Sequence, residues 1–185
     1  MPAGVRPVFI TGGNSLAKES IPEDDTRRME AIPRGVFSRV LDIEFDGEPF
    51  AQATHRTFSS TIACELATGP ELVFEKTSWS ARMFRLRAAN DRSTVFCTSE
   101  RQGFWMPRWD LDLTLGRARL ESMGFFRSGF LVVSGKDIWG SVDGRGVFKG
   151  GWVVTAWSAL DPTDFILIGF IFNHIQKMRA AATTG

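Results

Sequence analysis

The chain has 185 residues, 43% hydrophobic and 23% charged, with a formal net charge of +1. Its apolar share excludes wholesale disorder, and its length favours one domain, since two cores of half this size would each be marginal. The near-balanced charge argues against nucleic acid as a partner, and two cysteines, Cys64 and Cys97, are too few for a disulfide framework or a four-thiolate zinc site.

Residues 1–34 carry four prolines and no tryptophan. Within them Pro22-Glu23-Asp24-Asp25 reads as a helix start, with proline at the first position and acids in the first turn. Arg27 and Arg28 follow, and Pro33 would stop the helix. The expectation is a flexible N-terminal arm over 1–34 with one short helix, followed by a β-barrel domain over 35–185.

From Val36 the hydrophobic period is two. Leu41, Ile43 and Phe45 alternate with Asp42 and Glu44, and Asp46-Gly47 supplies the positive φ angles of a hairpin turn into a strand near Phe50. Strands are expected at 61–66 and, after Gly69-Pro70, at 72–76. Further strands are read at 79–88, 94–98 and 110–115, the last with Leu111, Leu113 and Leu115 on one side. Residues 125–134 and 138–142 follow, then an Asp143-Gly144 turn and a strand over 147–156. Allowing for strands with weaker signals, the count is ten to twelve.

The last element differs. Asp161-Pro162-Thr163-Asp164 combines an aspartate cap, proline at the first helical position and a carboxylate near the positive end. Phe165 to Phe172 is then apolar on every side, and Asn173, His174, Gln176, Lys177 and Arg179 make the far end polar. A helix over 162–180 that is apolar all round must be buried all round, and its apolar stretch is far short of the ~20 residues needed to span a bilayer. Eight strands close at a radius of roughly 8 Å and twelve at about 12 Å, while a central helix needs roughly 10 Å from its axis to the sheet. The reading is therefore a mainly β fold: about twelve strands closed into a barrel around a central C-terminal hydrophobic helix.

With Trp152-Val153-Val154-Thr155-Ala156 as last strand, then Asp161 and the run Phe165 to Ile175, this order of elements resembles the tubby-like superfamily. That group includes tubby C-terminal domains, phospholipid scramblases and LURP-one-related proteins. The resemblance spans about Val36 to Met178 and is one of element order. It implies a twelve-stranded barrel around a central helix, and a role at membranes or phosphoinositides. Scramblase activity is not carried over, because the cysteine-rich lipidation segment and the calcium-binding pattern of scramblases have no counterpart here.

Arginine outnumbers lysine seventeen to five, and from Arg82 to Arg119 there are eight arginines against four acids. Arg85 and Arg87 share one strand face, Arg117 and Arg119 another, and guanidinium groups suit bidentate phosphate contacts. Trp105 and Trp109 lie between them and suit a lipid interface. The candidate anion- or lipid-binding residues are therefore Arg82, Arg85, Arg87, Arg117, Arg119, Trp105 and Trp109. No metal site, cofactor or catalytic constellation is expected. His174 is placed near the barrel rim, where the helix emerges. The expected function is a non-enzymatic, cytoplasmic module that meets anionic phospholipid, phosphoinositide or a protein partner. The alternative is a small barrel carrying a hydrophobic ligand, with the C-terminal helix as lid.

Overall fold

The computed structural model describes residues 25–35, 38–55, 61–77, 82–103, 108–123, 129–145 and 150–183. Twelve strands precede one helix: β1 (Thr26–Pro33), β2 (Val40–Phe45), β3 (Glu48–His55), β4 (Ile62–Leu66), β5 (Leu72–Lys76), β6 (Met83–Ala88), β7 (Val95–Gln102), β8 (Arg108–Leu113), β9 (Gly116–Ser122), β10 (Phe130–Ser134), β11 (Asp137–Gly144), β12 (Trp152–Trp157) and α1 (Pro162–Thr183). Each strand pairs antiparallel with its sequence neighbours, and β1 pairs with β12 to close the barrel. Closure leaves no open sheet edge.

Period-two alternation sets the inner and outer faces. In β8, Trp109, Leu111 and Leu113 are buried while Arg108, Asp110 and Asp112 are exposed. Asp46 and Gly47 take φ values of 51° and 83°, as the tight hairpin between β2 and β3 requires.

α1 is the core. Every side chain from Asp164 to Phe172 is buried, so the all-round apolar run is enclosed on all sides. Phe165 meets Phe45 edge-on at 5.3 Å between ring centroids. Phe170 lies 5.2 Å from Phe74 and 6.0 Å from Trp152, and Phe172 lies 6.2 Å from Phe130. Gly169 is required where the helix passes closest to the wall, because a Cβ there would stand 2.4 Å from the fully buried Trp152 indole.

The helix start is locked to the barrel. Asp161 caps it, accepting from the Thr163 N–H at 2.8 Å, and Asp164 accepts from the Asp161 N–H at 3.2 Å. The Asp164 carboxylate also accepts from the Thr114 N–H at 3.0 Å and from the Thr114 hydroxyl, in the β8–β9 turn. Burial pushes the Asp164 carboxyl above its ordinary pKa. α1 therefore starts at the end bearing the β2–β3, β4–β5, β6–β7, β8–β9 and β10–β11 turns, and runs out through the opposite end.

Three expectations are corrected. The boundary at 34/35 falls inside the barrel: residues 26–33 are β1, paired Met29 to Val154 on one side and Met29 to Phe45 on the other. Met29 and Ala31 face the core, and the charges that obscured this two-residue pattern are tied to neighbours, Arg27 to Asp46 and Glu30 to Arg145. Pro33 is tolerated because pairing with β12 ends at Ala31. The expected helix start at Pro22 lies outside the described residues. Asp143-Gly144 is no turn; it continues β11, paired with Val153 and Trp152. Leu115, expected on the inner side, is 44% exposed in the β8–β9 turn. Of the twelve strands, β9 had been signalled only by its Arg117/Arg119 alternation.

Two consequences can be measured. Gly169→Ala should destabilise the fold by about 1–2 kcal/mol, because overpacking a rigid contact outweighs the gain of up to ~1 kcal/mol in helix propensity. Thermal melting reads this directly, and an equal or higher midpoint would contradict the close approach to Trp152. Trypsin should spare Arg27 and Arg28 in the native protein, and removing residues 1–33 should abolish cooperative unfolding, since β2 and β12 would become open edges.

Candidate functional site

The arginine-bearing strands do face outward, but their charge is largely matched. Arg85 reaches Glu75 Oε1 at 2.8 Å through Nε and 2.6 Å through Nη2, while Arg87 reaches Oε1 at 3.0 Å and Oε2 at 3.1 Å. Arg87 is buried, and its Nη1 donates to the Ala88 carbonyl at 2.7 Å. Its hydrogen bonds to Glu75 hold that carboxyl below its ordinary pKa. Reversing both arginines would place three carboxylates together, so this pair is structural rather than a free cationic face.

Arg117 and Arg119 line a shallow groove of about 520 Å³ across the outer faces of β7 to β10. Across the ladder Asp112 stands opposite Arg117 and Asp110 opposite Arg119, and Glu100 lines the same groove. Arg119 also pairs with Glu121 at 2.6 Å. The groove therefore has mixed charge. The surplus of four counted along the chain is halved in space, because Glu75 and Glu121 enter from outside the counted window.

Trp109 is 1% exposed, its ring 5.8 Å from both Phe84 and His174, so it packs the core and cannot rest at a lipid interface. Its phase with Leu111 and Leu113 carried that signal. Trp105 lies outside the described residues. Arg82 is exposed where β6 begins, and its carbonyl accepts from the Arg101 N–H at 2.6 Å.

Arg82 leads to the end of the barrel from which α1 emerges. There the inward faces of alternate strands end in basic side chains. Lys76 stands opposite Phe84, Arg101 opposite Trp109 and His55 opposite Ile62. These partners face the interior, and so do the basic side chains paired with them. From the helix, His174 packs 4.6 Å from the Phe84 ring, and Lys177 lies one turn further along the same face. Burial pushes the Lys177 ammonium below its ordinary pKa. Burial first, then Lys177, Lys76 and Arg101, push His174 down; burial, Lys177 and Arg39 do the same to His55. His174 Nε2 and Arg101 Nε are buried and find no hydrogen-bond partner among the described residues.

Sequence reading placed His174 at the rim but missed Lys76, Arg101, His55 and Lys177 as a group. Only the register shows that three strands end with a basic side chain turned inward.

Other candidates resolve into structure. Burial pushes the Cys64 thiol up to about 12 and the Cys97 thiol well above its ordinary value, so neither is poised to react. Asp42 is paired with Arg34 at 2.8 Å, and Asp46 with Arg27. Among the described residues no group of three or more His, Cys, Asp or Glu could hold a metal ion, and no helix is long and apolar enough to cross a membrane. No protein-family model, curated protein or solved structure matches the chain.

Both histidines have folded pKa values below the ordinary 6.5, so the fold binds fewer protons than the unfolded chain as the pH falls. Their contribution to stability is fully present above 6.5 and is lost as pH drops through the window beneath it. Denaturant titrations across that window should show a flatter pH dependence for His55→Gln with His174→Gln than for the parent chain. An unchanged slope would mean that neither imidazole is held neutral.

Proposed function

We propose that this barrel is a peripheral membrane-binding module whose helix-exit end faces an anionic lipid surface. The observation that carries the reading is the contrast between its two ends. The connections at the end where α1 starts, 46–47, 67–71, 89–94, 114–115, 135–136 and 158–161, contain four acids, two bases and no aromatic residue. The six connections at the other end, 34–39, 56–61, 77–82, 103–107, 123–129 and 145–151, read in sequence as seven bases, eight aromatic residues and no acid. Gly103-Phe104-Trp105-Met106-Pro107 and Met123-Gly124-Phe125-Phe126-Arg127 are typical. Bases attract anionic headgroups from a distance, and amphipathic rings partition to the headgroup level. Described basic residues at the same end are Arg34, Arg39, Lys76, Arg82, Arg101, Arg145, Lys177 and Arg179, of which Arg34 pairs with Asp42 and Arg145 with Glu30.

Membership of the tubby-like superfamily is part of the same proposal, supported by element order alone. The carrier alternative finds less support. A ligand inside the barrel would have to displace Phe165 to Phe172, which fill it.

Co-sedimentation of the full chain with vesicles tests the reading. Vesicles containing phosphatidylserine should bind more protein than pure phosphatidylcholine, and the excess should fall as salt is raised. Each basic residue near such a surface contributes about 1 kcal/mol, so Arg39→Glu with Arg82→Glu should weaken binding by more than roughly tenfold. Arg92→Glu with Lys136→Glu, at the opposite end, should have little effect. Equal binding to neutral and anionic vesicles, or equal sensitivity at both ends, would overturn the proposal.

A further inference from the structure

The outer wall of a closed barrel is convex, and much of this one pairs its charges within itself, as Glu75 does with Arg85 and Arg87. The groove across β7 to β10 departs on both counts. It has a volume of about 520 Å³, and a register shift in β10 between Val132 and Val133 falls at its edge. Such a bulge bends its strand and re-aims the side chains there. Val133 stands opposite Arg119 and so belongs to the outer face, yet it is only 7% exposed and gives the groove an apolar wall.

The charges of the groove lie in two cross-strand rows. From β7 through β8 to β9, one row runs Glu100, Asp110, Arg119 and the other Thr98, Asp112, Arg117. Acids therefore line the β7–β8 side and arginines the β9 side. Opposite charges facing each other across a ladder are placed to pair. Here Arg119 turns along its own strand to Glu121 at 2.6 Å. Glu100, Asp110, Asp112 and Arg117 make no side-chain hydrogen bond or ion pair among the described residues. Glu100 stands directly opposite Asp110, and like charges so placed cost stability. Solubility asks for charge on the wall, but not for like charges facing one another across a concavity. Three open carboxylates against one open guanidinium leave the groove short of positive charge.

We infer that this groove binds an extended peptide segment of a protein partner, one that carries basic side chains at alternate positions. The two rows lie two residues apart along the strands, roughly 6.8 Å, and alternate side chains of an extended peptide share one face at the same spacing. One basic side chain then meets Glu100 and Asp110 together, and the next meets Asp112. An arginine suits the first position, because its planar fork can donate to two carboxylates at once. Arg117, on the other side of the segment, donates to a peptide carbonyl. No loop of this sequence supplies such a segment: Arg85-x-Arg87, Arg117-x-Arg119 and Lys177-x-Arg179 lie within β6, β9 and α1. The strands at the groove are paired on both sides, so recognition is by side chains and not by strand addition. The inference concerns the side wall and does not rest on the membrane reading.

The test uses the full chain and three fluorescent pentapeptides with blocked ends. One has arginine at its second and fourth positions, one has arginine at its second and third, and one has glutamate at its second and fourth. Fluorescence anisotropy should show the alternating arginine peptide binding severalfold more tightly than the adjacent one, and the glutamate peptide not binding. Added salt should weaken the interaction. Asp110→Asn with Asp112→Asn, nearly isosteric changes on the outer face, should weaken it on the order of tenfold. Glu48→Gln with Glu65→Gln removes the same charge from β3 and β4 and should change it little. In the parent chain, backbone amide NMR should place the peptide-induced shifts at 98–102, 110–119 and 133–135. Equal losses from the two double variants, equal binding of the two arginine peptides, or shifts centred away from these strands would overturn the inference. Tighter binding of the glutamate peptide would overturn it in favour of an anionic partner held by Arg117 and Arg119. Far-ultraviolet circular dichroism and thermal melting establish that each variant is folded; if the Asp110/Asp112 variant melts early, Glu100→Gln takes its place.

Discussion

Everything in this fold depends on a helix that has no polar side. Nine consecutive buried positions, Asp164 to Phe172, contain one polar residue, and that residue is bound to the barrel. A helix packed on one face of a sheet would leave half of this surface in water, at about 25 cal/mol for each Å² of apolar area. Enclosure by a complete ring of strands is the solution, and the helix diameter then fixes the ring near twelve strands. Strand count, closure and the small residues that let wall and helix approach all follow from that requirement. Gly169 against Trp152 is one such contact; Gly140 against Ala156 is the equivalent within the wall.

The same requirement explains how the two ends differ. The end where α1 begins must hold a helix start in register, and it does so with short turns and the Asp161–Asp164–Thr114 hydrogen bonds. The end where α1 leaves must let the chain pass. Polar helix residues from Asn173 onward share that opening with the strand ends. A barrel with a filled interior has no central ligand chamber, so its chemistry is confined to the outer wall and the ends. The wall is largely self-neutralised by pairs such as Glu75 with Arg85 and Arg87. The connections at the helix-exit end are rich in bases and aromatic residues and carry no acid.

Much of the architecture was legible in the sequence because it rests on local periodicity. The all-round apolar run, its Asp-Pro start and the alternation of β2, β6 and β8 each declare themselves within a dozen residues. What was not legible depends on register. β1 offers only Met29 and Ala31 as inward residues, among charges whose partners lie far away in sequence. The arginine surplus was a count along the chain, whereas Glu75 and Glu121, which lie outside the counted stretch, pair with Arg85, Arg87 and Arg119 in space. Trp109 was readable as a core residue from its phase with Leu111, and weighing tryptophan as an interfacial type obscured that. The inward basic residues of β3, β5 and β7 could not be recognised as a group, since no sequence spacing relates His55, Lys76 and Arg101.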